Sequence, residues 1–381
     1  MNLIVSRIDY AFRKAIDYIF RPISSSRYLI SCGVLLIAPS GLLWTVTASI
    51  QVEGTTYSTL IHVGESGSTI IFALGFIALI IGIFFETYSL FLNGARDRKK
   101  RIVVIELRGL RSHVGTPLID AIPKYMAGQR VSRLISLPQI NDGEVASPET
   151  AIKELATLTT DLKQGEFGHN RSDLSRVFGG LAPVPILFLA GVLVDDECDL
   201  KIMDWDRHKK TWRELDSIDD HNRFTLPDLD AIPNFSDEII LTISASYAVN
   251  MSGAIERVGV LPVVQLDLKE RSFDSHWSEE KQVALTKEFC EVIRKLADKQ
   301  IKKIHLFIAA PASLSFRFGT SYDKRNMPTV VVYQHAQNHT PPFSWGIEMP
   351  VAGKSEATIV VDADADGNTT SQVLLVGSKG H

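Results

Sequence analysis

Small hydroxyl residues follow two apolar runs that have the composition of buried strands. Ser244 and Ser246 come at the end of one run, and Pro311 and Ser313 come directly after another. Pro311 and Ser313 stand where a helix would begin, so free backbone N–H groups and a hydroxyl can face a phosphate there. Because ligands of parallel α/β sheets bind at the carboxyl ends of the strands, these four residues are candidate contacts for an anion. Helix capping by Ser313 is the alternative.

A second candidate group follows the first predicted strand of the region after residue 101. Arg108, Arg111 and His113 come directly after the apolar run that begins at Ile102. In a first α/β unit they would occupy the strand end that Ser244 occupies in a second one. Exposed, solvated side chains are the alternative interpretation of the same three residues.

The chain contains none of the short motifs that mark the commonest enzymes. GxxxxGK[ST], HExxH, GxSxG and CxxC are absent, which removes the strongest support for an ATPase, a metalloprotease, a serine hydrolase or a thiol oxidoreductase. The three cysteines, Cys32, Cys198 and Cys290, are too few for a disulfide framework or a Cys-based zinc site. The sequence therefore favours binding over catalysis.

An acidic repeat near the C-terminus matches the start of a calcium-binding loop. Asp362, Asp364 and Asp366 occupy alternate positions of that loop, but its twelfth position is Val373 and not the bidentate Glu. Because strand-like segments flank the repeat, we predict a C-terminal hairpin or tail over 351–381. No metal and no cofactor is expected.

Charge is distributed unevenly along the 381 residues. Residues 1–101 hold 10 Lys and Arg against 6 Asp and Glu, which leaves 30 against 38 in residues 102–381. An acidic region binds long nucleic acid poorly, because such binding is driven by counterions that Lys and Arg release from phosphates. We therefore expect no long nucleic acid as a partner, although a local basic pocket can hold a small anion.

Two apolar segments near the N-terminus predict transmembrane helices. Residues 28–50 carry no charge, and residues 69–92 carry a single one, Glu86. At about 1.5 Å per residue, each is long enough to cross roughly 30 Å of hydrocarbon. They predict a hairpin over 28–92 with a short loop at 51–68. A cleaved signal peptide is the alternative for the first segment, whose apolar stretch is longer than such peptides use.

Basic residues flank this hairpin on one side only. The loop 51–68 contains no Lys or Arg, whereas five basic residues precede the first segment and five follow the second. The positive-inside rule then predicts that both termini are cytoplasmic and that the loop is periplasmic. Apolar residues at helical spacing in 1–27 predict an amphipathic helix that lies at the membrane interface or packs on the soluble domain. Residues 93–101 form a basic linker.

The second apolar segment carries one face of small and polar residues. At 100° per residue, Gly75, Gly82 and Glu86 fall close to one line with Ala78 beside them. Small residues let helices approach closely, and a carboxylate at membrane depth costs roughly 2.5–3.5 kcal/mol unless it finds a partner. We expect this stripe to be the oligomerisation face in the membrane. Snorkelling of Glu86 to the interface is the alternative.

After residue 101, short apolar runs alternate with amphipathic stretches. Four runs are predicted to be strands: 102–107, 186–194, 239–244 and 303–309. The segment 278–299 has an apolar stripe at helical spacing, with Ser278 as its N-terminal cap. A helix followed by a strand is typical of a crossover on a parallel sheet. The predicted fold class is α/β, with one half at 102–225 and another at 226–350.

The C-terminal half resembles the closing part of a SAVED domain. In residues 305–350, a strand leads to Pro-x-Ser and a helix that ends at Gly319, and a Pro-led strand and an aromatic residue follow. Three more segments resemble this family: IILTISASYAVN (239–250), GGLAPVPILFLAGVLVDD (179–196) and DWDRHKKTW (204–212). The similarity covers about residues 102–350. SAVED domains are two fused CARF-like α/β halves that bind cyclic oligonucleotides in bacterial antiphage signalling.

The resemblance implies a sensor, and the two apolar segments imply a membrane effector of cyclic-oligonucleotide-based antiphage signalling (CBASS). The expected partners are a cyclic di- or trinucleotide made by a cognate nucleotidyltransferase, the lipid of the bacterial inner membrane, and further copies of the chain. Ligand binding would cause oligomerisation and disruption of the membrane, without a catalytic residue. Arg317 and Trp345 join the expected ligand contacts, since they can clamp or stack on a base or else make structural contacts.

Two other functions remain open from the sequence. A membrane-tethered enzyme that degrades or uses the nucleotide would need His113, Ser244 or Ser313 to supply its chemistry. A passive membrane scaffold would bind no nucleotide. Turnover of labelled ligand distinguishes the enzyme from the sensor.

Overall fold

The chain divides into two units, residues 1–97 and 98–381, in a computed structural model. Each unit is described by itself below. The predictions of an amphipathic helix in 1–27 and of a turn after residue 361 fall almost wholly outside the described residues. The structure describes these ranges: 25–40, 44–52, 55–63, 69–110, 115–141, 144–145, 147–166, 168, 170–194, 199–231, 236–274, 276–336, 339–354 and 356–361.

In the part of residues 1–97 that the structure describes, two helices are joined through a β-hairpin. In chain order these elements are α1 (Ser25–Ser40), β1 (Trp44–Val52), β2 (Thr55–Val63) and α2 (Thr69–Lys99). The two strands are antiparallel, with Trp44 opposite Val63 and Val52 opposite Thr55. The segment 51–68, predicted to be a loop, therefore contains β2.

The continuous helix predicted over 28–50 is wrong in its second half, because α1 ends at Ser40. Pro39 and Gly41 stand at the break, and both residue types disfavour helix. The residues that follow are rich in Thr and Val, which favour strands, and they form β1. At 1.5 Å per residue α1 is about 24 Å long, shorter than the roughly 30 Å of hydrocarbon in a bilayer.

Helix α2 agrees with the second predicted segment. Among the described residues, Phe72–Leu92 is the helical stretch that is long and apolar enough to cross a membrane. Most of its large side chains, including Phe84, Phe85 and Phe91, are exposed. Outward-facing Phe, Ile and Leu suit contact with lipid and not with water.

The second unit begins with a five-stranded sheet and its helices. In chain order the elements are β3 (Arg101–Arg108), α3 (Leu118–Ala121), β4 (Gln129–Ser136), β5 (Gln139–Asn141), β6 (Glu144–Val145), α4 (Pro148–Glu166), β7 (Leu174–Leu181), α5 (Val184–Val194), β8 (Asp199–Asp206) and β9 (Thr211–Glu214). The strand order is β4-β3-β7-β8-β9, in which β9 is antiparallel to its neighbour and the other four strands are parallel. Strands β5 and β6 form a separate pair.

A seven-stranded sheet follows. Its elements are β10 (Phe224–Thr225), β11 (Glu238–Ser244), α6 (Met251–Val258), β12 (Val263–Leu268), α7 (Glu279–Asp298), β13 (Lys303–Ala309), α8 (Ala312–Thr320), β14 (Thr329–Gln334), β15 (Trp345–Glu348) and β16 (Thr358–Val361). The order is β10-β12-β11-β13-β14-β15-β16. Because β10 and β16 belong to this sheet, it extends past both predicted limits of the second half, 226 and 350.

The two sheets repeat one topology. The central strands β12-β11-β13-β14-β15 match β4-β3-β7-β8-β9 in order and direction, with an antiparallel strand in the last place of each. The chain also repeats itself where the third strand passes into a helix, since Ala-Pro precedes both α5 and α8. A glycine follows eight residues after each proline, at Gly191 and Gly319. The unit is therefore two α/β halves of the same topology.

Of the four predicted strands, three are confirmed and one is wrong. The runs 102–107, 239–244 and 303–309 form β3, β11 and β13, and 278–299 forms α7 with Ser278 as its cap. The run 186–194 is instead part of α5, nearly all of whose residues are buried. A fully buried helix is apolar on every side, so its sequence shows no periodicity that separates it from a buried strand.

Helices α5 and α8 cross at two glycines and join the halves. A Cβ on Gly319 would lie 2.0 Å from the carbonyl oxygen of Phe188, and a Cβ on Gly191 would lie 2.2 Å from that of Phe316. Phe188 and Phe316 occupy the same place in the two Ala-Pro repeats, so the contact is reciprocal. The crossing lies in one core cluster that draws on both sheets.

Candidate functional site

The carboxyl ends of β11 and β13 lie side by side and carry two of the predicted serines. The backbone N–H groups of Ala245 and Ser246 both donate to the carbonyl oxygen of Ala309, at 2.9 Å. Ser244 is buried, and its hydroxyl accepts a hydrogen bond from the N–H of Val249 at 3.3 Å. The structure therefore brings Ser244 and Ser246 together with the segment that leads to Ser313.

Ser313 is buried at the N-terminus of α8, with both of its polar groups engaged. Its N–H donates to Oδ2 of Asp204 at 3.0 Å, and its hydroxyl accepts from Nε2 of Gln282 at 2.8 Å. Pro311 is the N-terminal cap residue and makes no side-chain capping bond. The N–H group predicted to face a phosphate thus binds a carboxylate of the other half, and Ser313 does not cap its own helix.

A matching bond runs in the opposite direction between the halves. Gln334, at the end of β14, accepts from the N–H of Val184 at the start of α5, with 3.0 Å between the two atoms. Asp204, on β8, likewise accepts a backbone N–H at the start of α8. Strands β8 and β14 occupy equivalent places in the two halves. Each half therefore satisfies one free N–H at the helix start of the other. These two bonds hold both carboxyl edges in one surface.

His276 completes the polar cluster around Asp204. Its Nε2 lies 3.4 Å from Oδ2 of Asp204, and the imidazole is nearly buried. Burial lowers the pKa of His276 below its ordinary value, because it disfavours the charged ring, while the negative charge of Asp204 opposes this shift. Gln282 also donates to the carbonyl oxygen of His276 at 2.8 Å, and its own Oε1 has no hydrogen-bond partner among the described residues.

Asp204, His276 and Gln282 were missed at the level of sequence. Asp204 lies in the DWDRHKKTW segment, and Gln282 lies on the buried side of the correctly predicted helix α7. An acid and an amide at core positions of otherwise apolar patterns are the signal that was available, since buried polar groups need partners. Nothing in the sequence indicated that these partners come from different halves.

The first-half candidates are only partly described. Arg108 pairs with Glu106 at 2.6 Å, and Glu106 is buried and also accepts from the N–H of Leu118 at 2.9 Å. Arg111 and His113 lie outside the described residues. Arg108 is thus held at the end of β3, at the carboxyl edge where it was predicted.

Arg317 and Trp345 make structural contacts. The guanidinium of Arg317 lies 3.3 Å from Glu279, and burial lowers its pKa while Glu279 opposes the shift. Trp345 starts β15, pairs with Gln334 and Val361, and packs against the main core cluster. For both residues, the structural alternative named from the sequence describes the contacts seen.

The small-residue stripe of α2 packs against α1 of the same chain. A Cβ on Gly75 would lie 2.9 Å from Leu36, and a Cβ on Gly82 would lie 2.7 Å from Ile30. The approach is reciprocal, since a Cβ on Gly33 of α1 would lie 2.8 Å from the carbonyl oxygen of Gly75. Ala78 is half-buried beside this contact. The predicted oligomerisation face is therefore occupied within one chain.

Glu86 has partners on α1. The hydroxyl of Ser26 donates to its Oε2 at 2.5 Å, and Nε of Arg27 lies 3.5 Å from its Oε1. An ion pair and a hydrogen bond reduce the cost of a carboxylate near the hydrocarbon. Glu86 is thus bound to the neighbouring helix, which differs from simple snorkelling.

Two family models match the chain in succession. The model of the SAVED-fused 2TM effector domain (Saf_2TM) matches residues 5–152. The model of SAVED, the SMODS-associated and fused to various effectors sensor domain, matches residues 156–349, just over half of the chain. No curated protein matches the chain.

Solved structures with a similar fold include Cap4 receptors. The Acinetobacter baumannii Cap4 SAVED/CARF-domain containing receptor with the cyclic trinucleotide 3'3'3'-cAAA shares 12% identity at a TM-score of 0.43, over 74% of this chain and 59% of that one. The Moraxella osloensis Cap4 SAVED/CARF-domain containing receptor shares 12% identity at a TM-score of 0.40, over 66% and 50%. This chain thus spans about three-fifths of the length of the first of these receptors.

The two family matches divide the chain within the first α/β half. The SAVED match begins in α4 and ends at the start of the loop after β15, so it covers β7 to β9 of the first half and most of the second half. The Saf_2TM match includes α1, the hairpin and α2, and it continues through β3, α3 and β4 to β6 of the first half. The chain belongs to the SAVED family, and its SAVED sensor domain is fused to a 2TM effector domain.

Proposed function

We propose that this protein is a ligand-gated membrane effector: a cyclic di- or trinucleotide binds the SAVED domain, the chains associate, and the effector domains disrupt the bacterial inner membrane. The observation that supports the proposal is the succession of a SAVED-fused 2TM effector domain and a SAVED sensor domain in one chain. A sensor that is covalently joined to its effector passes on ligand binding directly. The ligand is made by a cognate nucleotidyltransferase.

The surface formed by the two carboxyl edges is the proposed binding site. It lies where α/β sheets bind ligands, and both halves contribute to it through Asp204 and Gln334. Arg108 lies at the edge of the first half, where its guanidinium pairs with the buried Glu106. A guanidinium can also donate to a phosphate, which favours a small polyanionic ligand.

The contacts of Ser244 and Ser313 favour binding over catalysis. The hydroxyl of Ser313 is bonded to the amide of Gln282, and that of Ser244 accepts from a backbone N–H. A serine nucleophile needs a general base within hydrogen-bond reach, and neither of these partners is one. The enzyme therefore remains the second candidate function, with His113 as its untested residue.

Binding and turnover are tested together on the full chain in nanodiscs. Radiolabelled cyclic di- and trinucleotides of A, G, C and U are added, and bound and intact ligand are measured separately. We expect one class to bind and to be recovered intact. Conversion of the bound ligand would establish the enzyme, and the absence of binding by every compound would leave the scaffold.

A further inference from the structure

An aromatic pair with a nearby cation projects beside the proposed ligand surface. Tyr247 follows the carboxyl end of β11, and Phe273 lies in the segment after β12. Their ring centroids are 6.0 Å apart with 38° between the planes. Tyr247 is 48% exposed and Phe273 is 62% exposed, so the pair is not part of the core. Two large rings held together at the surface need a reason other than packing.

Arg207 adds positive charge to this pair from the other half. It follows the carboxyl end of β8 and is exposed. Burial raises the pKa of Tyr247 and lowers that of His276, and in both cases the charge of Arg207 acts to lower the pKa. Arg207 therefore stands within electrostatic range of both side chains. A cation near an exposed aromatic pair is complementary to a nucleotide, which presents a flat base and a negative phosphate.

A small cavity lies next to the two segments that carry the pair. It has room for about one water and is lined by residues adjacent to both segments, among them Ala245, Ser272, His276 and Gln282. Gln282 is buried, and its Oε1 accepts no hydrogen bond from the described residues. A buried acceptor without a donor is destabilising. A polar group of a ligand, or a water that the ligand orders, would satisfy it.

We propose that Tyr247 and Phe273 form a stacking platform for one base of the cyclic oligonucleotide, with Arg207 on the adjacent phosphate. This inference rests on the proposed function and names the residues of the second half that hold the ligand. The rings come from the β11 and β12 segments and the cation comes from β8, so one nucleotide bridges the two halves. A bridge of this kind couples ligand binding to the contact between the halves.

The test distinguishes stacking on an aromatic ring from contact with any large apolar side chain. Tyr247→Leu and Phe273→Leu keep a large apolar side chain but lose the ring, and each is expected to weaken binding roughly 5- to 150-fold, the range that stacking on one base is worth. Phe273→Trp keeps a π face and should bind as wild type does. Arg207→Gln should weaken binding and make it less sensitive to salt.

Tyr125 provides the matched control. It is an exposed aromatic residue (66%), and it lies near the end of β8 that is opposite to Arg207. It contacts Lys201 near the start of β8, whereas Arg207 follows the end of that strand. Tyr125→Leu should leave binding unchanged. Every variant is melted first, in full-length form, to verify that it is folded.

The assay uses the full chain in nanodiscs and the labelled panel of cyclic di- and trinucleotides of A, G, C and U. Loss of affinity in both Leu variants, with retention in Phe273→Trp and Tyr125→Leu, supports the platform. Unchanged affinity in folded Tyr247→Leu and Phe273→Leu overturns the platform but leaves the proposed function standing. Failure of wild type to bind any member of the panel removes the proposed function, and the platform with it.

Discussion

At the scale of single residues, Asp204 makes contacts that join the two halves. It lies on the first half, accepts the N–H of Ser313 on the second, and stands 3.4 Å from His276. A carboxylate at a helix N-terminus satisfies a free donor and interacts favourably with the helix dipole. The residue therefore stabilises the contact between the halves at the same place where we expect the ligand.

The protonation of His276 gives a prediction about pH. Burial lowers its pKa in the folded state, with Asp204 and Asp274 opposing the shift and Arg207 adding to it. The unfolded chain, whose His pKa is about 6.5, then takes up a proton before the folded chain does. Stability from this group is complete above pH about 6.5 and is lost as the pH falls below that value.

Thermal melting of the full chain between pH 7.5 and 5.5 tests this prediction. The melting temperature of wild type should fall more steeply with acidification than that of His276→Asn. His208, whose side chain is 81% exposed, is the control, and His208→Asn should keep the steep dependence. Equal slopes for wild type and His276→Asn would contradict the assignment.

The stripe on α2 leads to a prediction for membrane activity. Gly82→Leu would force the helix away from Ile30, and Glu86→Leu would remove the carboxylate that binds Ser26 and Arg27. Both variants should abolish ligand-dependent leakage of the membrane while nucleotide binding is unchanged. Depolarisation of cells that express each variant with the cognate synthase is the measurement.

Ile83→Leu is the control for that experiment, because Ile83 lies beside Gly82 in sequence but is exposed. It should leak as wild type does. If Gly82→Leu and Glu86→Leu also depolarise the membrane as well as wild type, the packed face is not the working surface and the helices serve as an anchor.

At the scale of elements, the crossing of α5 and α8 is the tightest contact in the second unit that the structure describes. Gly319→Ala would place a Cβ 2.0 Å from a carbonyl oxygen, and because backbone cannot give way cheaply, the two helices must separate. We expect a loss of roughly 1–3 kcal/mol, the usual cost of overpacking, or failure to fold. Chemical denaturation measures this loss, and Gly115→Ala, which meets open space, should cost little. Equal stabilities of the two variants would contradict the crossing.

Element types were predictable where the pattern had a clear period or a clear composition. The helix 278–299 had an apolar stripe and a cap, and β3, β11 and β13 were short apolar runs. The same rule failed for 186–194, because a helix buried on all sides gives the same run. It failed again for 41–50, because the absence of charge over 23 residues hid the break at Pro39 and Gly41.

The sequence predicted which residues lie at strand ends, and it predicted the candidate site only to that extent. Ser244 and Ser246 could be placed at a carboxyl edge because they follow an apolar run. The partners of Ser313, in contrast, are Asp204 and Gln282, which are distant in sequence. Their approach depends on how the two halves pack across α5 and α8, and that packing leaves no local pattern.

At the scale of the whole molecule, the topology of the chain in the membrane is the first prediction. Basic residues flank the effector segment on both outer sides, and none lies in 51–68. A reporter fused after His381 should therefore be cytoplasmic, and one inserted near Gly64 should be periplasmic. A C-terminus that protease can reach in spheroplasts would overturn this arrangement.

Coupling between the sensor and the effector is measured by ligand-dependent leakage from liposomes. The full chain is reconstituted into vesicles that contain a self-quenched dye, and the cyclic di- and trinucleotide panel is added from outside. We expect that the nucleotide that binds the SAVED domain, and no other member of the panel, releases the dye. Binding of that nucleotide to the reconstituted chain without release of dye, or release of dye without any nucleotide, would contradict it.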